Sequence, residues 1–467
     1  MERLTAARKK ISEGYLQTRK KWKKPNTDKE TTKRSLRVGE HPAKKRRWYS
    51  LMDKVWAMPN LEEAFKEVKA NRGAPGVDNV TIPVFEANLE DNLRALQTAL
   101  RTKSYTPKPV RRKYIAKADG SERPLGIPTV GDRVVQAALK RVLEPIFEAK
   151  FCERSYGFRP GRSAHMALER IRKDLMEGYR YVIDADLKSY FDTIPHEKLV
   201  EQVREEVVDG SVLRLIESML KAGVLENGVV QASDLGSPQG GVCSPLLANI
   251  YLHPLDTLME SRGHRMTRYA DDFVICCRSR RGAERVLGQI TKLLESELGL
   301  KVHPTKTKIV NHQEESFVFL GHEFKPGHWM TPSGKAITKF KERIKEITRR
   351  NQTVNVKELV KRVLNPYVRG WANYFGTGDV RSLFRNLDAW IRRRLRMVQM
   401  RSWRHARKLM REMRRRGWRG KLTGIRMTAW RNSSCQHAHY AMPNAWFEEL
   451  SLCSLVQMIQ SQHPQRG

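Results

Sequence analysis

Three aspartates carry the chemistry this sequence offers. Asp271 and Asp272 stand together in Tyr269-Ala270-Asp271-Asp272, between Arg268 and the apolar run Phe273-Val274-Ile275-Cys276-Cys277. That context reads as strand, tight turn and strand. Adjacent carboxylates at a hairpin tip repel each other and are costly to ionise unless a cation neutralises them. Hard oxygen ligands of this kind select Mg²⁺. Alone, the pair equally suits a solvated turn. Asp186 offers a third acid, at the end of the buried-strand pattern Tyr181-Val182-Ile183-Asp184-Ala185. If the two strands are neighbours in one sheet, Asp186, Asp271 and Asp272 converge on two Mg²⁺ ions roughly 3.5–4 Å apart. One ion would activate a primer 3′-hydroxyl and the other would stabilise a pyrophosphate leaving group. That is nucleotidyl-transfer chemistry.

Other residues have types that suit a nucleotide triphosphate. Phe191 follows Asp186 by five positions, where a ring under the incoming sugar would crowd a 2′-hydroxyl; a plain core aromatic is the alternative. Lys117 and Arg123 flank a hairpin turn at Asp119-Gly120. Two cations there could close over phosphates as charge develops on them, or simply face solvent. Gln239 lies in Gly236-Ser237-Pro238-Gln239-Gly240-Gly241, a turn that lets backbone approach a nascent base pair. Lys306 follows Pro304-Thr305 and could protonate pyrophosphate or remain solvated.

Elements must hold these groups in place. Leu61, Phe65 and Val68 mark a helix face, and a second helix is expected around 83–102. A β-hairpin follows from Val110, then a helix from Asp132 to Phe151. Helical pattern runs through 196–221, from Pro245 to Met259 and over 281–298. Short strands are expected at 307–311 and 316–324, and a boundary loop at 327–334. Beyond it Leu383, Phe384, Leu387, Trp390, Ile391 and Leu395 form an apolar helical stripe, with Arg392, Arg393, Arg394 and Arg396 covering the other side.

Charge is distributed unevenly. The 467 residues carry a net charge of +37. Residues 1–47 hold 17 basic and 5 acidic side chains, and residues 341–431 hold 27 and 6. The segment 48–340 is close to balance, with 43 basic and 38 acidic. Two polycationic flanks around a mixed core imply a polyanionic partner. Lys20-Lys21-Trp22-Lys23-Lys24 and Lys44-Lys45-Arg46-Arg47-Trp48 set indoles beside cations, which suits phosphate contact with base stacking, or else a solubilising tail. The six cysteines form no Cys-x-x-Cys pair, so no zinc site or disulfide framework is expected, and a reducing cytosol fits. No signal peptide and no membrane-spanning apolar stretch is evident. The expected division is a basic extension (1–47), a mixed-charge core (48–330), a basic helical region (331–431) and a tail (432–467).

Taken in order, these segments resemble a group II intron-encoded reverse transcriptase–maturase. Residues 71–82 and Arg123-Pro-Leu-Gly-Ile-Pro-Thr-Val-Gly-Asp-Arg133 resemble its two fingers blocks. Tyr156-Gly-Phe-Arg159-Pro-Gly-Arg162-Ser163 resembles an insertion typical of that lineage. Asp186 with Phe191, Ser237 to Asn249, the Tyr269 tetrad, Pro304-Thr-Lys306-Thr and Phe319-Leu-Gly-His322 resemble motifs A to E. Asn365-Pro-Tyr-Val-Arg-Gly-Trp371 resembles the maturase domain, which doubles as a thumb.

The resemblance implies an α+β right-hand polymerase with an all-helical basic thumb. It implies Mg²⁺ on Asp186, Asp271 and Asp272, dNTP contacts by Lys117, Arg123, Phe191, Gln239 and Lys306, and nucleic-acid contacts by Arg159, Arg162, Lys44, Lys45, Arg46, Arg47, Arg392, Arg393, Arg394 and Arg396. Implied partners are intron RNA, target DNA, an RNA template with its primer, and dNTPs, in a bacterial cytoplasm and at the nucleoid. Many relatives end in an endonuclease with two Cys-x-x-Cys pairs. None is present here, so priming at a replication-fork nick or a single-stranded target is the expectation. A splicing-only maturase and a domesticated reverse transcriptase, in phage defence or beside CRISPR adaptation, stay open.

Overall fold

A computed structural model describes residues 47–467, apart from 117–121, 227–228, 232–234, 237–239, 305, 350–354, 421–424 and 463–467. Helix α1 (Met58–Asn71) buries Leu61, Ala64, Phe65 and Val68. The hairpin β1 (Val110–Ala116) and β2 (Glu122–Ile127) follows, antiparallel with Ile115 opposite Arg123. Helix α2 (Val130–Glu148) is capped by Thr129, whose hydroxyl accepts from the Asp132 amide, and it packs on α1. Helix α3 (Ala164–Met176) leads into β3 (Tyr181–Ala185). The short strands β4 (Val224–Glu226) and β5 (Val229–Gln231) complete a four-stranded fingers sheet in the order β2-β1-β4-β5.

The palm comes next. Helix α4 (Ser244–Ser261) precedes the hairpin of β6 (Arg265–Tyr269) and β7 (Asp272–Cys277), then helix α5 (Arg280–Lys292) and β8 (Lys308–Asn311). These strands join β3 in an all-antiparallel sheet, ordered β6-β7-β3-β8. Successive residues of a strand point to opposite faces. Ile183, Ala185, Phe273 and Ile275 enter the main core beneath the helices. Val182, Val274, Cys276 and Val310 enter a second core with Phe317, Phe319 and Phe324. Burial on both faces explains why β7 reads as an unbroken apolar run.

That second core is closed by β9 (Phe317–Phe319), β10 (His322–Lys325) and β11 (Trp329–Pro332). One strand was expected over 316–324. The chain instead reverses at Leu320 and Gly321, both left-handed at φ 48° and 76°. The expected boundary loop contains β11. The regions 83–102 and 196–221, each read as continuously helical, are likewise split, into 82–87 with 89–101 and 196–204 with 210–220.

The basic region is helical. Helices α6 (Gly334–Ile347), α7 (Asn365–Phe375) and α8 (Arg381–Trp403) share one core, to which Phe447 and Leu455 of the C-terminal segment also contribute. Phe384, Leu387, Ile391 and Leu395 form the buried stripe of α8, with Leu383 and Trp390 at its margins. Helix α9 (Ala406–Arg415) docks Leu409 and Met413 into a smaller cluster with Met400 and Met442. Among the described residues, no helix is long and apolar enough to cross a membrane.

Candidate active site

Register brings the acids together. Ala185 pairs with Phe273 across β3 and β7, so the next step sets Asp186 opposite Asp272. The two line one cleft of about 380 Å³ with Asp184, Lys306, Lys308 and Phe319. Lys306 Nζ lies 2.9 Å from Asp186 Oδ2, and the Asp186 carbonyl accepts from the His303 amide at 2.8 Å. Asp184 shares the strand face of Asp186 and was not anticipated. Burial pushes its carboxyl up, opposed by Lys308 and reinforced by the charge of Asp186.

Asp271 belongs to the two-residue turn with Ala270, flanked by the pair Tyr269 and Asp272. Its charge is felt by the Tyr190 phenol, which burial holds well above its ordinary value. The sequence pointed to three convergent carboxylates, Asp186, Asp271 and Asp272. Asp186 and Asp272 line the cleft, and Asp271 lies in the adjoining two-residue turn. Among the described residues, no three Asp, Glu, His or Cys side chains are gathered as one metal-ligand set. The donor chemistry still fits a divalent cation. The groups are hard carboxylate oxygens, and an ammonium already sits against Asp186.

The turn is held from behind. Ala270 is left-handed at φ 59° and 7 % exposed. The Arg268 side chain, fully buried, donates to the Ala270 carbonyl oxygen at 2.8 Å, to Asn249 Oδ1 at 2.9 Å and, through two nitrogens, to Asp256. Asn249 Nδ2 donates to the Gly157 carbonyl at 2.8 Å. Residues 154–157 strap β6, with Tyr156 N donating to the Arg268 carbonyl and Arg268 N to that of Arg154. A Cβ at Gly157 would come 2.9 Å from the Tyr269 carbonyl carbon and closer still to the Ala270 nitrogen. Reading the sequence missed Arg268, Asp256 and Asn249; their signal is pairing between distant segments.

The nucleotide-side residues have mixed outcomes. Lys117 and Gln239 lie outside the described residues, and Arg123 is placed by its backbone in β2. Phe191 is half-buried, packed edge-on against Tyr190 with ring centroids 5.2 Å apart. Lys306 engages the Asp186 carboxylate. Of the glycine turn expected to approach a base pair, residues 237–239 lie outside the described residues. At Gly240, φ is 116° and a Cβ would overlap the Gly126 carbonyl oxygen of β2, so its close neighbour is the fingers strand.

Several arginines expected on nucleic acid are spent on the fold. Arg159 is buried, with all its donors engaged by Glu148 and the carbonyls of Phe151, Cys152 and Ser155. Arg396 is 3 % exposed, donates to the Met442 carbonyl and lies 5.0 Å from the Phe447 ring centroid; burial lowers its pKa to about 10. Arg394 donates to Thr348 and the Lys345 carbonyl, and Arg393 stacks 4.3 Å from the Trp430 centroid. Arg162 is half-buried and donates to the Glu153 carbonyl. Arg392 is half-buried and Arg47 exposed, whereas Lys44, Lys45 and Arg46 lie outside the described residues. An open basic face lies on α9, where Arg407, Lys408, Arg411, Arg414 and Arg415 are exposed.

An antiparallel sheet with acids at one end, a fingers hairpin before it and a helical region after it defines a right-hand, template-directed polymerase. Residues 115–324 match the reverse transcriptase (RNA-dependent DNA polymerase) family and residues 337–418 the group II intron maturase-specific domain. The chain is 37 % identical over 302 residues to Protein YkfC of Escherichia coli K12, covering 56 % of this chain and 79 % of that one. It is 41 % identical over 196 residues to the group II intron-encoded protein LtrA of Lactococcus lactis subsp. cremoris, covering 41 % of this chain and 32 % of LtrA. A structure of apo telomerase from Candida tropicalis aligns at TM-score 0.42 and 12 % identity, over 77 % of this chain and 67 % of that one. This chain belongs to the group II intron-encoded reverse transcriptase–maturases, a family of RNA-directed DNA polymerases.

Proposed function

We propose that this chain copies RNA into DNA and, as a maturase, binds its own intron RNA to promote splicing and then target-primed insertion. The observation that carries the reading is the meeting of Asp186 and Asp272 in one cleft at the end of the β3–β7 pair, in a chain that also has the maturase-specific domain. Asp186, Asp271 and Asp272 would hold Mg²⁺. When bound, the metal supplies charge stabilisation and an activated primer hydroxyl. The chain's own groups do the rest. Phe191, five residues after Asp186, reads the sugar. Lys117, Arg123 and Gln239 contact the dNTP, and Lys306 stands ready to pass a proton to the departing pyrophosphate. The exposed face of α9 and the basic residues 44–47 take the phosphates of the intron RNA. The setting is a bacterial cytoplasm, with the nucleoid reached when target DNA is engaged.

Primer extension on an RNA template tests this. Asp186→Ala and Asp271→Ala should each lower synthesis by roughly a thousandfold or more, while splicing of the intron at low Mg²⁺ persists. Retained synthesis would refute the polymerase assignment. Loss of splicing in a folded Asp271→Ala protein would refute the separation of the two roles.

A further inference from the structure

We infer that Arg268, bridged to the 154–157 strap by Asn249 and anchored by Asp256, is a positioning residue that sets the direction in which Asp271 leaves the catalytic turn. The inference rests on the catalytic role proposed above for Asp271.

The turn does not hold itself. Ala270 occupies the left-handed region without being glycine, a conformation that costs an L-residue about 1–2 kcal/mol. Its own side chain has no polar atom to fix the following peptide. Arg268 supplies that fixation. Its Nη1 donates to the Ala270 carbonyl oxygen at 2.8 Å. In a trans peptide the carbonyl oxygen and the next N–H point in opposite directions. Drawing the Ala270 oxygen inward therefore turns the Asp271 N–H away from Arg268 and fixes the take-off of the Asp271 side chain.

The guanidinium is itself immobilised at both ends. Its Nε donates to Asp256 Oδ1 at 2.7 Å, its Nη2 donates to Asp256 Oδ2, and its Nη1 also meets Asn249 Oδ1 at 2.9 Å. Asp256 and Asn249 are two turns apart on α4 and are 3 % and 1 % exposed. Asn249 then uses its amide to hold the Gly157 carbonyl, and Gly157 presses on the Ala270 backbone. A buried, fully engaged guanidinium beside a catalytic turn keeps one geometry. A lysine would keep the charge against Asp256 but could not fork to three acceptors in a fixed plane.

Two variants test the idea: Arg268→Lys and Asn249→Ala. The first keeps the charge opposite Asp256, and the second leaves the Arg268–Asp256 pair intact. In each, the single-turnover rate of nucleotide addition should fall roughly tenfold to a hundredfold, the loss expected from misplacing a reacting group by about an ångström. The KM for dNTP should stay within about twofold, because uniform ground-state binding is untouched. Mn²⁺ binding followed by electron paramagnetic resonance should weaken at least severalfold, a readout that a purely structural role would not move in a protein of unchanged melting temperature. If Arg268→Lys does not fold, Asn249→Ala decides. Wild-type rate and wild-type Mn²⁺ affinity in a folded variant overturn the inference. Asp271→Ala, run alongside, separates the two levels. An inactive Asp271→Ala with unaffected Arg268→Lys and Asn249→Ala defeats only the positioning role, whereas an active Asp271→Ala defeats the catalytic reading on which it rests.

Discussion

The ammonium of Lys306 lies 2.9 Å from a carboxylate oxygen of Asp186, on the loop that leads into β8. Both groups retain solvent contact, with side chains 62 % and 33 % exposed. Lysine therefore occupies the position that the proposed reading gives to a divalent cation. An exposed pair of this kind contributes only about 0–1 kcal/mol, so on the proposed reading a metal would displace the ammonium and leave it to act on the departing phosphate. Lys306→Met should lower the Mg²⁺ concentration at half-maximal rate by up to about fivefold, the equivalent of that energy. The maximal rate should fall at the same time. A metal titration of primer extension reads both numbers, and a raised Mg²⁺ requirement would show that the lysine assists the metal instead of competing with it.

Gly240 couples the motif-B turn to the fingers. It is strained for any L-residue at φ 116°, and a Cβ would also strike the Gly126 carbonyl oxygen. Gly240→Ala should lower stability by about 1–3 kcal/mol and raise the KM for dNTP more than it changes the rate at saturation. Thermal melting and steady-state extension measure the two effects. Unchanged melting would mean that the turn can rearrange without β2.

The palm was legible because its signals are local. The acid at the end of an apolar strand and the two acids in a tight turn follow from period-two patterning and turn chemistry, and β3 and β7 pair as those signals require. The strand expected over 316–324 failed at Leu320, where a residue with no preference for the left-handed region adopts φ 48° because Tyr374 Oη donates to its carbonyl and the chain must double back under Phe375. Arg159 and Arg396 failed for a related reason. Arg159 turns back on the preceding segment, to Glu148 and nearby carbonyls, and Arg396 reaches Met442 far along the chain; nothing in a basic motif distinguishes a guanidinium aimed at phosphate from one aimed at a buried carbonyl.

Acid should destabilise the fold through two buried histidines. His312 is 2 % exposed and neither ring nitrogen has a partner; His322 is fully buried with Nε2 unpartnered. Burial lowers the pKa of each to about 4. The folded state thus keeps both neutral while the unfolded chain protonates near 6.5. Their contribution is intact above that value and is lost as pH falls from about 6.5 towards 4, by up to about 3 kcal/mol per histidine. Melting temperatures measured between pH 7.5 and 5 should fall accordingly. His312→Phe, which keeps the ring beside Phe317 and removes the titration, should flatten the slope; an identical pH profile in that variant would remove His312 from the account.

The basic helices divide arginines left open to solvent from arginines spent on the fold. On α9 the buried side is Leu409 and Met413, and the guanidinium groups of Arg407, Arg411 and Arg414 face solvent. Each phosphate contact removed should reduce the salt dependence of RNA affinity, the slope of log K against log salt, by about 0.7–0.9. Arg407→Gln, Arg411→Gln and Arg414→Gln together should therefore flatten that slope by roughly two to three units while leaving the melting temperature within a degree or two, as surface changes do. Arg396→Met should behave in the opposite way. Its guanidinium donates to the Met442 carbonyl and stacks on Phe447, so removal costs about 1–3 kcal/mol of stability and leaves the slope alone. Filter binding of intron RNA across a salt series, paired with thermal melts, separates the two behaviours. A triple variant with an unchanged slope would move the RNA-binding face away from α9.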